Sequence, residues 1–173
     1  MDPKQRKANQ FRKLASLLKN DYKTTNKLYQ QCKEFSKKID DNNVNQKNPY
    51  IYAVAVNLQH FYTSLETIFK RIIKEIEGNV PQGKSRHQEL LEQISIEIEN
   101  VRPALISKNI KQELDELRRF RHIVRHGYEY ELDWQQIKPL IKSLDKIETQ
   151  LEKDIKEFNT FLLTMADEIE SDQ

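Results

Sequence analysis

The chain has 173 residues, of which 37% are apolar and 32% charged, with only three glycines and five prolines. That length suits one domain, spanning residues 1–173, with a core that needs no disulfide or metal; the composition excludes wholesale disorder and favours long helices over a sandwich or barrel. A formal net charge of +2, from 29 basic and 27 acidic side chains, excludes a surface coated overall for polyanions, so any such site must come from local clustering.

The N-terminus, Met1-Asp2-Pro3-Lys4-Gln5-Arg6-Lys7, is polar with no apolar run behind it. The longest uninterrupted apolar stretch, residues 51–56, is far too short to span a bilayer. The expectation is a protein with no secretion signal and no membrane contact, at home in the cytoplasm. From about Gln5 to Ile39, Phe11, Leu14, Leu18, Tyr22, Leu28, Cys32, Phe35 and Ile39 recur mainly at three- and four-residue steps and predict a first amphipathic helix. Cys32, the single cysteine, reads there as a small buried hydrophobe.

Asn48-Pro49 supplies a cap and a first-position proline for a second helix, to about Glu77, whose apolar content marks it as the central element. The run 78–83 stops it, and Ser85-x-x-Gln88 predicts a third helix to about Glu99. Asn109-x-x-Gln112 predicts a fourth that Gly127 ends, and Asp133-x-x-Gln136 a fifth to about Glu168, its beginning bent by Pro139. Short connections make neighbouring helices antiparallel, giving an all-α, four- to five-helix up-and-down bundle.

The end of the fourth helix carries the chemistry. Arg118, Arg119, Arg121, His122, Arg125 and His126 fall close together with no acid among them. At 100° per residue, Leu114, Leu117, Phe120, Val124 and more loosely Ile123 share an apolar arc, into which Arg121 and Tyr128 also project. A cation there requires an anionic partner. His122, His126, Arg118, Arg119 and Arg125 take the opposite arc. Arg121 and His126 point roughly 140° apart, so a shared target needs an unwound helix end or a second chain.

Three readings of the cluster stand at this point: a solvated, dipole-complementing helix end on a plain helical scaffold; a nucleotide- or RNA-binding module; and a nuclease site. A metal clamp by His122 and His126 lacks a further ligand on that face, so no metal and no cofactor is expected. The isolated His60 and His87 receive no role.

The conjunction of Arg121 and His126, with four residues between them, and then Tyr128 resembles the Arg-x-x-x-x-His-x-Tyr signature of the HepT toxins in the HEPN superfamily of helical ribonucleases. Leu58-Gln59-His60-Phe61-Tyr62, Leu65-Glu66-x-x-Phe69-Lys70, Glu89-Leu90-Leu91 and Tyr130-Glu131-Leu132-Asp133 extend the resemblance along the chain. His122 stands where many HEPN ribonucleases have Asn.

The resemblance implies a metal-independent endoribonuclease toxin of a type II toxin–antitoxin pair. Arg121, His126 and His122 would be catalytic, and Arg118, Arg119 and Arg125 would hold the RNA backbone. RNA brings its own nucleophile, the 2′-hydroxyl, while imidazole exchanges protons near neutral pH and guanidinium stabilises phosphate charge. The partners implied are transfer or messenger RNA, a second copy of the chain meeting through the motif helices, and a minimal nucleotidyltransferase (MNT) antitoxin that places AMP on Tyr128. The alternative is a non-catalytic HEPN nucleotide- or RNA-binding partner of that transferase.

Overall fold

Apolar residues spaced by three and four place each helix's buried stripe against its neighbours, and the computed structural model, describing residues 2–127 and 132–171, shows how. The order is α1 (Pro3–Ser36), α2 (Pro49–Ile76), α3 (Arg86–Ile94), α4 (Lys108–His126) and α5 (Trp134–Ser171). No strand occurs among the described residues, only an isolated bridge between Ile98 and Arg102. The all-α bundle expected from the sequence is the observed fold.

α1 packs on α2 and α5, and α4 closes the ring against the same two helices, while α3 covers the α2/α4 side. Side-chain pairs show that ring neighbours run antiparallel. Arg12 meets Glu170 and Lys33 meets Asp145 between α1 and α5; Gln10 meets Glu75 and Phe35 meets Tyr50 between α1 and α2. One continuous core joins all five helices. α2 is its centre, burying Phe61, Tyr62, Leu65, Ile68, Phe69 and Ile72 completely, as its composition predicts. Cys32 lies in the same core, where burial pushes its thiol up to about 12.

The helix ends separate local from tertiary causes. Asn48 caps α2 as expected, its Oδ1 accepting the Tyr50 N–H at 2.9 Å. Asp133 does the same for α5 through Gln135, and that helix continues through Pro139 to Ser171. The capping boxes expected at Ser85 and Asn109 do not form. Ser85 directs its hydroxyl to Glu89 and leaves the α3 backbone uncapped. α4 begins one residue before Asn109, because the Ser107 N–H and hydroxyl both donate to the buried Asp154 of α5 at 3.0 Å. α3 also stops at Ile94, short of Glu99. The buried Arg102 guanidinium donates to the carbonyls of Gln93, Ile96 and Pro103 and pairs with Glu77, so that it satisfies among others the Gln93 oxygen that a longer helix would have bonded internally. No helix among the described residues is long and apolar enough to cross a membrane.

Candidate functional site

On α4, Leu114, Leu117 and Arg121 occupy the buried stripe at steps of three and four, so helical geometry carries a guanidinium into the bundle. Arg121 is only 5% exposed. Its compensation comes from α2: Nε donates to the Thr63 hydroxyl at 3.1 Å, and Nη2 lies 3.7 Å from Oε2 of Glu66, itself 1% exposed. The anionic partner that a buried cation requires is therefore Glu66. Thr63 and Glu66 are three residues apart on α2, so one helical turn presents both to Arg121.

The second oxygen of Glu66 is 2.6 Å from Nδ1 of His87 on α3, so three helices converge on one carboxylate. Burial lowers the His87 pKa, and Arg121 and Arg86 act in the same direction against the opposing pull of Glu66. Burial is the main cause, because it penalises the charged imidazolium, and the nearby guanidinium groups add to it by weakening the hold of Glu66 on a proton. We therefore read the short contact as a neutral Nδ1–H donating to the carboxylate, and not as an ion pair. The neighbouring Tyr62 hydroxyl is buried without a hydrogen-bond partner among the described residues; burial, and then the charge of Glu66, push its pKa upward.

The outer arc is arranged differently. His122 and His126 are both exposed, with ring centroids 4.5 Å apart and planes tilted by 48°. Arg118 and Arg119 share Asp115, one turn earlier, at 2.7 and 2.6 Å. Burial pushes the Asp115 carboxyl up, but the two guanidinium groups outweigh it and hold the pKa below the usual value. Arg125 is exposed and has no carboxylate partner among the described residues. It borders a groove of about 480 Å³ with Tyr52, Val56, Gln59, Ile123 and Gly127. Gly127 ends α4 as expected, but with φ −94° and ψ 76°, outside the left-handed region. Tyr128 lies outside the described residues.

The fold thus brings His122 and His126 together on the exposed side of α4 and buries Arg121, as the roughly 140° offset between Arg121 and His126 leads one to expect, while His122 shares a cavity wall with Arg121. Ile123 departs from the apolar arc loosely assigned to it: it is 46% exposed. Two predicted RNA contacts, Arg118 and Arg119, are partly engaged by an acid lying just before the cluster. Sequence reasoning missed His87, Thr63 and Glu66. The available signal was Glu66, a carboxylate between Leu65 and Phe69 on the stripe of the most apolar helix. Among the described residues, no three His, Cys, Asp or Glu side chains gather as a potential metal site.

A family model described as HepT-like protein matches residues 53–162, well over half of the chain, from the first turns of α2 to the last turns of α5. No curated protein and no solved structure matches the chain.

Proposed function

We propose, from the premise that the chain belongs to the HepT-like family of the HEPN superfamily, that it is a metal-independent endoribonuclease toxin. The observation that carries this reading is the exposed imidazole pair, His122 and His126, 4.5 Å apart at a helix end. Two adjacent imidazoles can supply the base and the acid that cleavage by the 2′-hydroxyl requires. His126 takes the 2′-hydroxyl proton as the oxygen attacks phosphorus. The bond from phosphorus to the 5′-oxygen breaks, and His122 protonates the departing oxygen. The products carry a 2′,3′-cyclic phosphate and a 5′-hydroxyl.

Arg121 keeps Nη1 free of partners among the described residues, so a guanidinium anchored by Glu66 and Thr63 can still offer a donor to phosphate. Preorganised in this way, it needs little rearrangement as charge develops. Arg125, together with the outer nitrogens of Arg118 and Arg119, holds the backbone without reading sequence. Since Arg121 faces inward and His126 outward, a complete site calls for a second copy meeting at the motif helices. Tyr52 at 66% and Ile123 at 46% exposure leave apolar surface around the Arg125 groove for that copy to cover.

In this reading the whole chain works as one domain in the cytoplasm, acting on transfer or messenger RNA. An MNT antitoxin silences it by moving AMP from ATP to the Tyr128 hydroxyl with loss of pyrophosphate. The added phosphate places negative charge beside the site and repels RNA. A second reading, a non-catalytic HEPN nucleotide- or RNA-binding partner of the transferase, is favoured by the engagement of Arg121 with Glu66. His126→Ala decides between them. The side chain is exposed, so the fold should persist, and loss of general acid–base catalysis should slow RNA cleavage by roughly 10²- to 10⁴-fold. Undiminished cleavage in a clean preparation would refute the assigned role.

A further inference from the structure

The group formed by Arg121, Glu66 and His87 opens outward into a cavity of about 210 Å³, lined by Lys84 and His87 near the start of α3 and by Arg118, Arg121 and His122 of α4. Pockets for whole small molecules run to ~300–1,000 Å³, so this one suits a portion of a larger ligand.

Its chemistry is specific. Glu66 occupies Nδ1 of His87, which leaves Nε2 as the ring atom available to a ligand. With the hydrogen on Nδ1, Nε2 is an acceptor. Around it stand cationic donors. Arg118 uses only Nε on Asp115, and Lys84 has no partner among the described residues. An acceptor flanked by cations fits a ligand that presents a hydroxyl close to a phosphate.

We propose that this cavity binds one ribose-phosphate unit of an RNA strand, with the phosphate on Lys84 and Arg118 and the 2′-hydroxyl donating to Nε2 of His87. The proposal rests on the RNA-cleaving reading and extends it to α3, which the Arg/His motif does not include. His122 belongs both to the cavity wall and to the exposed imidazole pair. A strand held in the cavity therefore leads directly to the cleavage site.

The test is fluorescence anisotropy of a short oligoribonucleotide and its DNA counterpart, using full-length protein carrying His126→Ala. Lys84→Glu, at an exposed position, should weaken both at least fivefold, while Lys19→Glu on α1 should change neither. His87→Asn keeps a donor where Nδ1 stands and removes Nε2. It should lower RNA affinity to the DNA level and leave DNA binding unchanged, with far-UV circular dichroism confirming the fold. Equal effects of Lys84→Glu and Lys19→Glu, or equal effects of His87→Asn on RNA and DNA, would overturn the proposal. Cleavage by His126→Ala judges the catalytic reading separately: a variant that cuts like wild type sinks that reading, while the binding pattern decides the subsite.

Discussion

Glu66→Gln removes a charge from the centre of the site and almost no volume. Arg121, 5% exposed, is then left as an uncompensated cation, and the new amide can turn a donor toward it. At the observed 3.7 Å, two unit charges in an effective dielectric near 20 attract by about 4–5 kcal/mol. Removing one partner of a buried ion pair typically costs about 3–5 kcal/mol. The two routes agree on a loss of about 4–5 kcal/mol, equivalent to a melting temperature lower by roughly 8–20 °C for a chain of this size. Urea unfolding followed at 222 nm would give the loss as a lower midpoint with an unchanged slope. Adding Arg121→Met leaves no stranded charge, so the double variant should recover most of the stability. A loss below about 1 kcal/mol, or a double variant no more stable than Glu66→Gln, would show that solvent screens the pair.

Two further outcomes follow from the same core. With burial holding its pKa at about 12, Cys32 should resist a disulfide thiol reagent at pH 8 in the folded protein and react at once in denaturant; rapid labelling of the native chain would contradict its placement. His87 should make stability depend on pH: the unfolded imidazole takes up a proton near pH 6.5, whereas the folded one, its pKa lowered first by burial, resists. The unfolded state therefore binds more protons as pH falls below about 6.5, and stability drops. His87→Asn should flatten that part of the stability profile, and equal slopes in the two proteins would exclude the assignment.

The elements that could be read from the sequence are those whose causes are local. Apolar periodicity marked the long helices α1, α2 and α5, Asn48 and Asp133 marked two starts by their own side chains, and Gly127 marked an end. The errors lie where a distant residue decides. Arg102 captures carbonyls on both sides of Ile94, those of Gln93 and Ile96, and Asp154 of α5 sets the start of α4; neither pairing is visible in a window around the helix end. The site divides in the same way. The burial of Arg121 and the exposure of His122 and His126 follow from rotation about one axis. The identity of the compensating anion and the part taken by His87 depend on how α2, α3 and α4 pack, which no spacing rule supplies.

That packing also redistributes the charge of the arginine cluster. In sequence, Arg118, Arg119, Arg121 and Arg125 form one basic block. In the bundle, Asp115 takes two of them, Glu66 takes the third, and Arg125 alone remains unpaired among the described residues. A surface that reads as fourfold positive is thus a small cationic zone at the helix end, directly beside the two imidazoles. Neutralising the flanking arginines weakens general attraction for polyanions and concentrates positive potential beside the imidazole pair to which the proposed function gives the proton transfers. The same acids restrain the guanidinium groups, reducing the rotamer freedom lost when a phosphate binds. On the proposed ribonuclease reading, the acids at positions 66 and 115 would therefore be as much a part of the site as the basic motif.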